Sequence, residues 1–141
     1  MTTTISEIYD IEILKNLEGF EFNWWIKSEY NSVVFCAQIN KHIVGLVEFT
    51  RYERDLFNFM NLIEILPDYR GSTVAGELLA WVGLDSLKNG FDGFVVFESK
   101  TVLYQYYIHK YGAKPLLDKR LFFDTETTLK LIKTYLEVEN V

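Results

Sequence analysis

Cysteine, proline and histidine are scarce in this chain: its 141 residues contain one Cys, two Pro and two His. The lone thiol, Cys36, forms neither an intrachain disulfide nor a cysteine-based zinc site. His42 and His109 are too few and too far apart to read as a metal site. The longest apolar run, Leu78–Leu84, falls far short of the roughly 20 residues a membrane-crossing helix needs. Residues Met1–Ile5 show neither the basic start nor the apolar stretch of a secretory signal. No repeat, low-complexity tract or linker interrupts the chain. These absences predict a soluble, cytoplasmic protein with no metal and no membrane contact.

The composition is 49% hydrophobic and 24% charged, which excludes a disordered chain. The length fits one domain, residues 1–141, able to bury a core without disulfides. The net charge of −6 is uneven: residues 1–66 carry 10 acidic and 5 basic side chains, whereas residues 67–120 carry 6 and 7. An acidic first half argues against a nucleic-acid surface, which needs clustered Lys and Arg. It suits a cationic partner, or simply keeps the protein soluble.

Periodicity predicts a mixed α/β layer domain. Ile8, Ile11, Leu14 and Leu17 predict a helix over Ser6–Leu17, ending at Gly19. Phe20–Tyr30 reads equally as a short helix or an edge strand. Val33–Ile39 and Ile43–Phe49 predict a hairpin turning at Asn40-Lys41. A polar connection follows near Arg51–Asp55, then a strand over Phe57–Leu66, stopped by Pro67. Gly71–Asn89 predicts a long helix capped by Gly90. Gly93–Phe97 reads as a buried strand and Thr101–Tyr111 as a second helix ending at Gly112. Leu116-Leu117 and Leu121–Phe123 are candidate strands. Leu129, Ile132 and Leu136 mark a terminal helix, with Asp124 or Thr125 as its N-cap.

The chemically informative stretch is Glu64-Ile-Leu-Pro-Asp-Tyr-Arg-Gly-Ser-Thr-Val-Ala-Gly-Glu-Leu-Leu79. A strand ends at proline and a helix begins around an Arg-Gly pair. The first turn of a helix has unpaired N–H groups and the positive end of the dipole, so small residues there suit phosphate or pyrophosphate. Neither a P-loop nor a Gly-x-Gly-x-x-Gly pattern is present.

This stretch resembles the acetyl-CoA loop of the GNAT-type N-acetyltransferase superfamily, strand-V-x-P-x-x-R-G-x-G-x-G/A-x-x-L-L. Ile65, Pro67, Arg70-Gly71, Ala75 and Leu78-Leu79 fall on its positions. The order of elements resembles the family's over about residues 32–117, with Gly45 matching a usual glycine and Gly112 aligning with Tyr-x-x-x-Gly-Phe. Three positions depart: Thr73 replaces the central glycine, Ile108 the tyrosine and Ala113 the phenylalanine. A Cβ at Thr73 is expected to crowd a pyrophosphate.

The resemblance implies a mostly antiparallel sheet with a splayed parallel strand pair, flanked by helices, plus a C-terminal helix. It implies acetyl-CoA or another short acyl-CoA as co-substrate, held by Ile65, Leu66, Arg70, Gly71, Ser72, Thr73, Val74, Ala75 and Gly76. It also implies a helix tyrosine that protonates the leaving thiolate. A phenol of pKa about 10 gives a proton to a thiolate of pKa about 8.5 only with help from the site. Tyr104, one turn before Ile108 on the same face, is the first candidate and Tyr107 the second. Tyr104, Tyr106, Tyr107 and Tyr111 read equally as core aromatics. Glu64 is the candidate base, or a solvated strand carboxylate. Trp24 and Trp25 fall where the family builds its acceptor pocket, although core packing explains them as well. Ser99, Lys100 and Thr101 fall where the family often has a cofactor-binding Asn, for which a hydroxyl can substitute.

The expected activity is transfer of an acetyl group to an amine, a cationic small molecule or a lysine, with no nucleic-acid partner. The alternative is a degenerate GNAT-fold binding or structural protein without catalysis. The sequence leaves the oligomeric state, homodimer included, open.

Overall fold

A computed structural model describes residues 2–99 and 101–136; Met1, Lys100 and residues 137–141 lie outside the described residues. The best-formed local signal is a hairpin of β2 (Val33–Ile39) and β3 (His42–Tyr52). Asn40 and Lys41 both adopt positive φ, 52° and 68°, the backbone a two-residue turn between twisted strands requires. β3 runs three residues further than expected because Arg51 stays in the ladder opposite Asn58. Its guanidinium pairs with Asp85 at 2.7 Å and lies over the Phe49 ring.

The first third departs from expectation. Instead of one helix over Ser6–Leu17, Thr3–Glu7 forms strand β1 and only Ile11–Lys15 forms a helix, α1. Thr3, Thr4 and Ile5 are β-branched and pair antiparallel with β2, satisfying backbone groups that a helix would have satisfied locally. The Asp10 carboxylate caps the Glu12 N–H and sets where α1 begins. Phe20–Tyr30 is neither helix nor strand; it crosses the sheet as irregular chain.

β4 (Phe57–Ile65) follows β3, and a 3-10 turn at Pro67–Tyr69 leads to α2 (Val74–Lys88). α2 starts three residues later than predicted because Gly71 sits at φ +85°, outside helical space. Then come β5 (Val95–Glu98), α3 (Leu103–Tyr111), β6 (Lys114–Pro115), β7 (Arg120–Phe123) and α4 (Thr125–Tyr135). The strand expected at Leu116-Leu117 lies two residues earlier, and both leucines are exposed. Pro115 has no N–H to donate and is tolerated because β6 is the sheet's edge.

The sheet has seven strands in the order β1-β2-β3-β4-β5-β7-β6. β4–β5 is parallel and every other pair antiparallel. α2 covers one face: Val74, Leu78, Leu79 and Val82 are buried against Val47, Phe49, Met60, Val95 and Phe97. Close approach there depends on Gly45, where a Cβ would stand 3.0–3.1 Å from Ile65, Val74 and Leu78. The opposite face carries a smaller cluster of Leu14, Trp24, Val34, Cys36 and Leu46.

Candidate active site

The site originates in one extra residue. β3 and β4 fall out of step so that Glu48 faces Leu62 but Phe49 faces Met60, leaving Asn61 as a bulge. Before the bulge, the Asn58 N–H points toward β5 and donates to the Phe94 carbonyl. After it the phase is reversed, and the Leu66 N–H points toward β3, donating to the Val44 carbonyl at 2.9 Å. Alternation therefore turns the peptide edges of Ile63 and Ile65 away from β3. β5 pairs only with Asn58, Phe59 and Met60. Beyond Met60 the parallel pair is open, and the free edge of β4 borders a cavity of about 440 Å3.

Of the residues expected to hold a cofactor, Ile65, Arg70, Gly71, Ser72 and Ala75 line this cavity, whereas Leu66, Thr73, Val74 and Gly76 do not. Arg70 Nε donates to the Ile65 carbonyl at 3.0 Å, holding the loop against the strand end. Gly71 supplies the positive φ, and the space where its Cβ would stand is open to 4 Å. The Ser72 hydroxyl donates to the Tyr69 carbonyl and accepts from the Val74 N–H. The first turn of α2 thus opens beside the cavity, with the positive end of its dipole toward it. Val74 is core. Gly76 faces α4, where its Cβ would stand 2.4 Å from the Tyr135 ring.

The Thr73 backbone is right-handed helical, φ −82° and ψ −2°, so glycine is not required. Its hydroxyl donates to the Glu77 carboxylate at 2.6 Å. The N–H of Leu66, one of the residues expected to hold the cofactor, is already donated to the Val44 carbonyl.

Leu103, Tyr106, Tyr107 and Tyr111 bring one face of α3 to the cavity. Tyr104 is not among its lining residues and packs instead against the main core. Burial pushes the Tyr107 phenol above its ordinary value. Burial and the neighbouring Tyr106 do the same to Tyr111. Tyr107 meets Phe97 edge-on at 5.0 Å. The spacing of Leu103, Tyr107 and Tyr111 by four residues was a signal that could have selected this face. The Thr101 hydroxyl accepts from the Leu103 N–H just before α3, and the Ser99 N–H donates to the Lys119 carbonyl.

Glu64 is 7% exposed and accepts three N–H donors: Glu21 N at 2.7 Å, Phe22 N at 3.2 Å and Trp24 Nε1 at 2.8 Å. Glu21 and Phe22 form the opposite wall of the cavity. No signal in the sequence pointed to them, because they belong to chain without periodicity. Among the described residues, no cation pairs with Glu64 or Glu21, and no cluster of three or more His, Cys, Asp or Glu could hold a metal ion. No helix of the described residues is long and apolar enough to cross a membrane.

No protein-family model and no curated protein matches the sequence. Solved structures do. An acetyltransferase of the GNAT family from Staphylococcus aureus Mu50 aligns at 15% identity over 88% of this chain and 99% of its own, with a TM-score of 0.64. The spermidine/spermine N-acetyltransferase SpeG from Vibrio cholerae aligns at 14% identity over 92% and 98%, TM-score 0.65. A Bacillus anthracis protein solved in complex with acetyl coenzyme A aligns at 11% identity over 88% and 99%, TM-score 0.64. The chain has the GNAT fold.

Proposed function

We propose that the protein is an acyl-CoA-dependent N-acetyltransferase that uses the cavity between β4 and β5. The carrying observation is the Asn61 bulge followed by the opening of the β4–β5 pair. Together they leave the peptide edges of Ile63 and Ile65 without a strand partner, beside the first turn of a helix. An extended amide-bearing arm can pair with such an edge as an added strand, and an anionic group suits the helix start with Gly71, Ser72 and Ala75. The GNAT-fold protein solved with acetyl coenzyme A supports that choice of ligand.

When bound, the thioester supplies an activated acetyl group. The acceptor nitrogen, having lost its ammonium proton to water, attacks the carbonyl carbon as a neutral amine, forming the C–N bond as the C–S bond breaks. The Ile65 N–H, on the free edge, is the donor best oriented to polarise the carbonyl oxygen. Tyr107, favoured over Tyr104 because it lines the cavity, gives its proton to the departing thiolate. The ammonium formed on the acceptor releases a proton to water, and water reprotonates the phenolate. Burial weakens Tyr107 as an acid, but a thiolate in the same apolar cavity is also more basic than in water.

A cationic acceptor is supported by Glu21 and Glu64, two carboxylates at the cavity with no cationic partner among the described residues. Calorimetric titration with acetyl-CoA, followed by thiol release over spermidine, an aminoglycoside and a lysine peptide, tests the reading. Binding with thiol release is expected. Absence of binding at millimolar acetyl-CoA removes the acyltransferase reading. Binding without release from any amine identifies a GNAT-fold module without catalysis.

A further inference from the structure

We propose that Glu64 is a positioning residue rather than the base, and that with Glu48 it clamps residues 20–31 as the acceptor-side wall of the cavity. The inference rests on the acyltransferase reading for its kinetic consequence, but not for its structural one.

Residues 20–31 have no helix or strand of their own; the Trp24 and Ile26 N–H groups bond within the segment, to the Phe22 and Asn23 carbonyls, and others need partners from elsewhere. Two sheet carboxylates provide them. Glu48 lies opposite Leu62 and Glu64 opposite Leu46, which makes the two glutamates diagonal neighbours across β3 and β4. Glu64 accepts from Glu21, Phe22 and Trp24. Glu48, 1% exposed, accepts from the Ser28 N–H at 2.9 Å and the Ser28 hydroxyl at 2.6 Å. Five donors from one irregular segment therefore converge on two buried anions, with no cation among the described residues paired to either.

A base must present a lone pair to the acceptor and later release the proton it takes. Glu64 Oε1 already accepts two N–H donors and Oε2 a third, out of about four lone-pair sites. Protonating it would weaken all three bonds that hold Glu21 and Phe22 against the cavity. That geometry suits an anchor, since charge-assisted bonds in a buried site are strong and directional. The acceptor then meets a wall whose position depends on Glu64, while the proton leaves by another route.

The test uses Glu64→Gln and Glu48→Gln in the full chain, read by hydrogen exchange of residues 20–31, acetyl-CoA affinity and steady-state kinetics against pH with the best acceptor of the amine panel. Gln has one acceptor oxygen and an NH2 that opposes the N–H donors. Exchange at Glu21 and Phe22 in Glu64→Gln is expected to rise roughly tenfold or more, as loss of a charge-assisted hydrogen bond implies. Acceptor KM should rise by a similar factor, with acetyl-CoA affinity and the shape of the kcat pH profile unchanged. Unchanged exchange overturns the clamp. Loss of the rising limb of the pH profile with normal exchange and KM makes Glu64 the base instead. If Glu64→Gln does not fold, Trp24→Phe and Ser28→Ala each remove donors while keeping both carboxylates, and raised exchange confined to residues 20–31 is the expected result. Should no amine be acetylated, the acyltransferase reading fails while the exchange data still decide the clamp.

Discussion

The two faces of the sheet are covered in different ways. On one, α2 and α4 are regular helices whose contact with the strands and with each other is apolar and close. Gly45 admits α2 to the sheet, while Gly76 and Gly83 bring α2 against Tyr135 and Thr128 of α4. On the other, an irregular segment with a single fully buried side chain of size, Trp24 (2% exposed), is held by hydrogen bonds to buried carboxylates. Area burial is non-directional and summed over many atoms, so the helical face resists local change. Hydrogen bonds to Glu48 and Glu64 are few and directional, so the segment can open without the core. The candidate site lies where the two regimes meet: α2 and α3 line one side of the cavity, and Glu21 and Phe22 the other.

The sharpest way to separate the regimes is to cut each at one residue. Leu78→Ala removes a fully buried side chain from the α2 face and is expected to lower global stability by about 2–5 kcal/mol, read by denaturant unfolding. A loss confined to hydrogen exchange near α2 would contradict the division. The next effect is at the helix–helix contact. In Gly83→Ala the added Cβ stands 2.5 Å from the Thr128 methyl, and Thr128 cannot swing freely because its hydroxyl donates to the Gly93 carbonyl at 2.6 Å. A cost of about 1–3 kcal/mol follows. Adding Thr128→Ser removes the methyl and keeps the hydroxyl, which still stands 3.1 Å from the added Cβ, so the double variant should recover most of the loss; no recovery would place the cost elsewhere.

A smaller effect concerns the start of α4. The Asp124 carboxylate, held well below the usual carboxylate range at about 2 chiefly by its bond to Lys114 and then by the Thr127 N–H, caps that helix. A lowered folded-state value means its contribution is complete above the unfolded value of about 4 and is lost as pH falls toward 2. Asp124→Ala should therefore cost about 1 kcal/mol at neutral pH, with the difference from wild type shrinking as pH falls below the unfolded value and vanishing only once pH has passed below about 2. An equal gap at both pH values would rule out the ionised cap. The smallest global effect is expected for Trp24→Phe, which removes one N–H donor to Glu64 and keeps a smaller aromatic ring in the cluster with Leu14, Val34 and Leu46. Its loss, about 1 kcal/mol, should register in exchange at residues 20–31 and scarcely in the melting temperature. An equal shift in both would mean that the segment unfolds together with the core.

Where the sequence was legible, the reason is local. The Asn40-Lys41 turn, the stop at Pro67, the αL cap at Gly112 and the Asp124 N-cap each follow from the backbone preferences or hydrogen-bonding groups of a few adjacent residues. The GNAT fold was legible because the Pro67–Leu79 stretch and the element order agreed. Thr3–Glu7 was not, because its pairing energy comes from β2, about thirty residues away. Thr73 looked like an obstruction in a linear motif, and only the helical backbone there and the bond to Glu77 show where its side chain goes.

The acidic bias shows the same boundary. By itself the sequence determined that the first half carries excess negative charge and where most strands and helices alternate. It could not determine that two of those acids, Glu48 and Glu64, are inside the protein with neutral donors, or that Tyr107 rather than Tyr104 meets the cavity. Those outcomes depend on the Asn61 bulge, which reverses the phase of β4, and on chain with no periodicity folding back over the sheet. Composition and period are properties of neighbours along the chain; the cavity is made by residues brought together across it.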